Sequence, residues 1–290
     1  MKILSQITRR FSTLQSYVVE RMNPYYKDQV TSFYNEASEI VGSKIDKTLY
    51  EYLYNSQRMI RINLPLKRDN GQLHSVYAYH IQHSSHIWPC QGGLKISKNI
   101  TALTVEAQAF MVTLRNALSE IPFGGSKGGI CIDPSTCSEK ELTSLIMSYT
   151  HALGKKGILG VNHDIIGPEM GIKSCYSNAM VEGLKTVESE VENNPYACVT
   201  GKSREMGGIN GREELPSYGV LSVLNILLNS EKFLRQYSIE KGIKNKRVII
   251  QGFGNMGYWM AKLLEKEGAR IIGVMEKGIS IRNMEGFFVD

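Results

Sequence analysis

Apolar residues recur at three- and four-residue spacing through SFYNEASEIVG and IDKTLYEYLYNSQ, which predicts two short helices between about 25 and 57. The pattern then changes to period two. RMIRINLPLKRDNGQLHSVYAYHIQH gives two alternating runs around Arg68-Asp69-Asn70-Gly71, and Asn-Gly between such runs predicts a β-hairpin. Residues 101–119 return to helical spacing and should stop before a turn at Pro122, with GGICID as a short buried strand beyond it. Ser138-x-x-Glu141 opens a further helix that Gly154 and Gly157 should close. Two more helices are expected over 173–186 and 217–236. Strands and helices intermixed in this order predict an α/β fold. There is no internal repeat and no low-complexity tract.

The sharpest pattern lies after 245. KRVIIQGFGNMGYWMAKLLEKEGARIIGVME reads as an apolar strand, Gly252-x-Gly254-x-x-Gly257, a helix, a Gly268 stop and a second apolar strand ending at Glu276. This is a dinucleotide fingerprint in its proper strand–turn–helix setting. The first glycine serves the tight turn, the second lets backbone approach a pyrophosphate, and the third lets helix pack on strand. Phosphate would rest on the helix N-terminus, where free N–H groups and the dipole favour an anion. Glu276 stands where an acid meets ribose hydroxyls, which favours NAD over NADP.

A second motif is IPFGGSKGG at 121–129, with Lys127 among four glycines. Glycine tolerates positive φ and close approach. The stretch therefore reads either as a crowded site around a buried, proton-transferring amine or as a Gly-rich turn with an exposed lysine.

Composition narrows the classes. With 290 residues and 42% apolar content the chain can bury a core and divide into two domains. A net charge of +6, scattered over both signs, gives no sign of a nucleic-acid groove. Five cysteines at 90, 131, 137, 175 and 198 form no CxxC pair and fit reduced thiols. His80, His83 and His86 are spaced three apart, but no Cys or His-Glu set completes a metal site, and a polar strand end is the expected reading. Residues 1–19 hold Lys2, Arg9 and Arg10, several Ser and Thr and no acid, the composition of a mitochondrial presequence. No run of 18 uninterrupted apolar residues is present.

HSSHIWPCQGGLK, IPFGGSKGG, ACVTGKSREMGGINGR and VIIQGFGNMG, in this order, make the chain resemble glutamate dehydrogenase of the animal mitochondrial type across roughly residues 22–290. The resemblance implies an N-terminal α/β substrate domain followed by a Rossmann-like domain, with the site in the cleft between them. It also implies hexamers and NAD(P)-dependent oxidative deamination of L-glutamate to 2-oxoglutarate and ammonia. Lys127 would be the proton-transfer lysine. Glu169, in DIIGPE, falls where the family has its catalytic aspartate, one methylene shorter. Gln91 falls on a substrate-carboxylate lysine and Arg115 on a second one. Gly252, Gly254, Asn255, Met256, Gly257 and Glu276 would bind the cofactor, and a family cofactor threonine is replaced by Pro216. The expected division is a presequence-like 1–19, a substrate domain 20–205 and a partial NAD-binding domain 206–290.

These departures, and an end at Asp290 just past the second dinucleotide strand, lead to the expectation of a catalytically degenerate homologue. It would serve as a structural or assembly subunit of a larger mitochondrial complex, with other protein chains covering an open sheet edge. The alternatives are an active enzyme completed by another chain and a regulatory NAD-binding subunit.

Overall fold

The structure, a computed structural model, describes residues 26–42, 46–169, 172–187 and 194–289. The presequence-like segment 1–19 lies outside them. The chain forms two compact units, Met1–Gly208 and Ile209–Asp290.

In the first unit a five-stranded sheet has the order β1-β2-β4-β3-β5, with β1 Arg58–Lys67, β2 Leu73–Ser84, β3 Cys90–Ile96, β4 Gly124–Ile130 and β5 Asp164–Pro168. Strands β1, β2 and β4 pair antiparallel, whereas β3 runs parallel to both β4 and β5. The expected hairpin is β1–β2, and Gly71 takes φ +84° in its loop. Two short helices precede the sheet, α1 (Tyr26–Val41) and α2 (Lys47–Tyr54).

Helix α3 (Ala102–Leu118) covers one face, where Val105 and Ala109 pack on Ile81 of β2. Helices α4 (Glu139–Gly154) and α5 (Ser174–Lys185) cover the other, packing Leu145, Tyr149 and Met180 against Leu64, Ala78, Leu94 and Ile130. Helix α4 begins with the Ser138–Glu141 capping box.

Two details of this unit depart from expectation. The glycine-rich stretch is itself the strand, which starts at Gly124 rather than after the motif, and every residue of β4 is buried. None of its glycines has a positive φ. They are needed for close approach: a Cβ on Gly125 would lie 2.0 Å from Thr113 Oγ1 of α3, and one on Gly128 2.5 Å from the Tyr149 hydroxyl of α4. Helices press on both faces of this strand, so at Gly125 and Gly128 there is no room for a side chain.

The second unit holds α6 (Leu215–Leu227), α7 (Glu231–Tyr237), β6 (Arg247–Gln251), α8 (Asn255–Lys266), β7 (Arg270–Glu276) and β8 (Ile279–Phe287). Its core gathers Leu221, Leu228, Ile250, Ala261, Leu264 and Ile271. The single helix expected over 217–236 is broken, because the Leu228 carbonyl accepts from Gly242 N at 2.9 Å and Asn229-Ser230 restart the chain as α7. The half-sheet also differs from two parallel strands. After a tight turn at Lys277-Gly278, with Gly278 at φ +82°, β8 folds back antiparallel on β7 and covers that edge.

Candidate functional site

Strand register decides which side chains meet around Lys127. Gln91 pairs with Gly125 and with Ile165, and Lys95 pairs with Gly129. Because side chains alternate along a strand, Gln91, Gly93 and Lys95 of β3 share a face with Gly125, Lys127 and Gly129 of β4. That is the face covered by α3.

Lys127 is 4% exposed, and its Nζ contacts Glu169 Oε2. Glu169 follows β5, so the pair spans the intervening strand β3. Gly93 on that strand makes the space, since a Cβ there would come within 3.0 Å of Glu169 Oε2. The Glu169 side chain is 33% exposed, so the pair leads from a buried amine towards solvent.

Burial lowers the pKa of Lys127, because an ammonium loses its hydration there. Glu169 pulls the other way, while Lys95 and Arg115 add like-charge repulsion. The net direction is down, so a larger share of Lys127 is neutral than of an exposed lysine at the same pH, which suits a proton-accepting amine.

Of the residues expected here, Lys127 and Glu169 are in contact. Gln91 lies on the same face, half-buried and neutral. Arg115, exposed in the last turn of α3, is close enough for its charge to act on Lys127. Lys95 joins them, a residue that the motifs do not mark, although its position four residues after Gln91 on an extended strand signals the shared face.

The histidines do not converge. His80 and His83 emerge on opposite faces of β2: His80 meets Tyr149 and Asp164, whereas His83 Nδ1 is 2.9 Å from Thr113 Oγ1 of α3. Both are buried, so they belong to the core rather than to a polar strand end.

The second unit was read as a dinucleotide site, and its loop geometry fits one. Gly252 has φ +85°, a conformation glycine adopts without strain. A Cβ on Gly257 would strike the Gly252 carbonyl oxygen at 2.0 Å, so close helix–strand packing requires glycine there. Around Gly254 no atom lies within 4 Å of a Cβ position, which leaves the space a phosphate needs. Gly254 is also the N-cap of α8, with no side chain capping the first-turn amides.

Glu276 accepts from Phe253 N at 2.7 Å, and this bond and that from Lys277 N lower its pKa. The acid thus stands beside the glycine loop as an anion. Asn255 donates from Nδ2 to the Glu213 carbonyl at 2.6 Å, and the Met256 carbonyl accepts from Ser217 Oγ at 3.0 Å. Pro216 lies in the first turn of α6, where a missing N–H costs the helix nothing.

Family models match both units: "Glu/Leu/Phe/Val dehydrogenase, dimerisation domain" over residues 56–186 and "Glutamate/Leucine/Phenylalanine/Valine dehydrogenase" over 207–290. The chain belongs to this family. It is 30% identical over 288 residues to mitochondrial glutamate dehydrogenase of Dictyostelium discoideum, covering 99% of this chain and 57% of that protein. It is 33% identical to an NADP-specific glutamate dehydrogenase of Saccharolobus shibatae, covering 91% of this chain and 59% of that one. The chain therefore spans somewhat over half the length of the curated relatives it matches.

Among solved structures, hetero-hexameric glutamate dehydrogenase of Thermus thermophilus in its leucine-bound form superposes with a TM-score of 0.79 at 27% identity, covering 92% of this chain and 61% of that one. Glutamate dehydrogenase of Peptoniphilus asaccharolyticus gives 0.71 at 26%, covering 91% and 64%. The α/β architecture of a glutamate dehydrogenase, with an N-terminal sheet domain and a second, partial one, is thus present.

Proposed function

We propose that this family member carries the proton-transfer pair of an amino-acid dehydrogenase of the glutamate dehydrogenase type, with Lys127 as the base and Glu169 as its shuttle partner. The observation that carries the reading is the buried Lys127 amine, its pKa lowered by desolvation, held against a partly exposed carboxylate.

Oxidative deamination of a 2-amino acid consumes water and yields a 2-oxo acid, ammonia and a reduced nicotinamide. A neutral lysine removes a proton as the α-amino group is oxidised and water adds at the α-carbon, and it returns one as ammonia leaves. Glu169 relays that proton towards solvent. Arg115 and Lys95 supply positive charge for substrate carboxylate, and Gln91 supplies a neutral hydrogen bond.

The fit of the glycine loop supports NAD(P) as cofactor, with Gly252, Gly254 and Gly257, together with the first-turn amides of Asn255 and Met256, holding the phosphates. Glu276, an acid beside the glycine loop, would favour NAD by accepting from the ribose hydroxyls. Bound there, a nicotinamide nucleotide supplies the hydride acceptor. We place the protein in the mitochondrial matrix, from the acid-free, basic character of residues 1–19, and in an assembly with homologous chains.

A second reading, a non-catalytic assembly subunit of a larger mitochondrial complex, is favoured by Gln91. A neutral amide replaces a charge-assisted carboxylate contact about twice as strong. The two readings separate in an assay of the protein from its native source, with L-glutamate and a panel of monocarboxylic L-amino acids, each with NAD and NADP. Amino-acid-dependent nucleotide reduction supports the enzyme. Silence across the panel supports the assembly subunit.

A further inference from the structure

On the sheet face opposite Lys127, a polar cluster is sealed from solvent. Asp164, at the start of β5 and 0% exposed, accepts from Ser126 Oγ at 2.7 Å on one carboxylate oxygen. Its other oxygen accepts from Gln82 Nε2 at 3.0 Å and faces His80 Nε2 at 2.8 Å. His80 Nδ1 lies 2.9 Å from the Tyr149 hydroxyl, which donates to the Tyr79 carbonyl at 3.0 Å. Ser126 and Tyr149 are fully buried, and His80 and Gln82 nearly so.

The cluster joins β2, β4, β5 and α4 through side chains, whereas backbone pairing leaves β4 and β5 separated by β3. The Ser126–Asp164 bond crosses that strand over Gly92, where a Cβ would come within 2.8 Å of Ser126 Oγ and 1.9 Å of its carbonyl oxygen. Ser126 directly precedes Lys127, and the strand that Asp164 opens leads to Glu169.

We propose that Asp164 is a positioning residue: through Ser126 it fixes the spacing of β4 and β5, and so holds Lys127 against Glu169 on the other side of the sheet. The inference rests on the proton-transfer reading of that pair. A carboxylate suits the task because it accepts several bonds at once, and in a dry interior a satisfied polar network specifies geometry where apolar packing would tolerate a shift. If the spacing relaxes, water reaches the amine and removes the desolvation that dominates its titration. A loosened Glu169 contact acts the other way and the repulsion from Lys95 and Arg115 adds to the lowering, but desolvation is the largest cause, so the net shift is upward.

The test follows the pH dependence of Lys127 labelling by pyridoxal phosphate and borohydride, mapped by peptide mass, in the whole protein. It compares wild type with Ser126→Ala and Asp164→Asn. Ser126→Ala leaves one acceptor unfilled and keeps the remaining cluster, so it answers even if Asp164→Asn fails to fold. Leu153→Ala, which opens the core on the same side and removes no hydrogen-bonding member of the cluster, controls for general loosening. The expected result is an upward shift of the Lys127 labelling midpoint in Ser126→Ala, with the Leu153→Ala midpoint unmoved. An unmoved midpoint in Ser126→Ala, or an equal shift in Leu153→Ala, overturns the proposal. Because labelling requires no turnover, a protein inactive on every amino acid still tests the link.

Discussion

Lys127 of β4 rests on Glu169, which follows β5, although β4 and β5 are not neighbours in the sheet, and Gly93 on the strand between them leaves the gap through which they meet. The carboxylate raises the lysine pKa against a larger desolvation effect that lowers it. Removing the charge while keeping the shape should therefore leave Lys127 lower still. In Glu169→Gln the acid limb of kcat/KM is expected to move to lower pH, with a reduced kcat. An acid limb that stays in place would mean that the carboxylate has no bearing on the lysine.

Gly254 tests the nucleotide reading without endangering the fold. Its Cβ position is open and its φ is −77°, so Gly254→Ala should change stability by no more than about 0.5 kcal/mol. The added methyl occupies the space assigned to pyrophosphate. Titration calorimetry should show weaker NAD binding at an unchanged Tm, and an unaltered affinity would contradict the assignment.

Gly257 makes the opposite case. Alanine in a helix interior is ordinarily favoured over glycine by about 0.5–1 kcal/mol. Here its Cβ would meet the Gly252 carbonyl oxygen at 2.0 Å, a backbone atom that cannot step aside. Overpacking of about 1–3 kcal/mol should win, so Gly257→Ala is expected to lower the Tm. A raised Tm would show that the close approach is not a constraint.

The β1–β2 hairpin is fastened to the N-terminus of α4 by Glu141, which accepts from Asp69 N at 2.8 Å and from Arg68 Nη1 at 3.0 Å. The Asp69 amide is the first cause of its lowered pKa, and the Ser138 amide and Arg68 add to it. A carboxylate lowered in the folded state contributes stability above its unfolded pKa, and that contribution is lost as pH falls through the lowered value. The Tm advantage of wild type over Glu141→Gln should thus be full near neutrality and vanish in acid. A gap independent of pH would contradict the ionic account.

Much of this was legible because local chemistry announced it. Asn70-Gly71 marked the hairpin, Ser138 and Glu141 the start of α4, and the glycine triplet with Gly268 the strand–helix–strand of the second unit. The failures share a cause. Strand β4 was hidden because GGSKGG has no alternation when both faces are pressed by helices, and its glycines spoke of turns. The break at Leu228 depended on a long-range bond from Gly242. The turn at Gly278 and the fold-back of β8 offered only a short, exposed alternation. Lys127 and Glu169 could be named through resemblance, but their meeting over Gly93, and the part of Lys95, follow from register, which no single stretch of sequence reveals.

The central claim is that Lys127 moves the proton in an amino-acid dehydrogenation. The most direct measurement compares nicotinamide reduction by the native-source protein with that of Lys127→Met, which keeps an unbranched apolar stem, one heavy atom shorter, and removes the amine. We expect amino-acid-dependent turnover in wild type and a loss of about 100- to 10,000-fold in the variant, the range that general base catalysis supplies. Equal turnover in both, or none from wild type with any amino acid and either nucleotide, would contradict it.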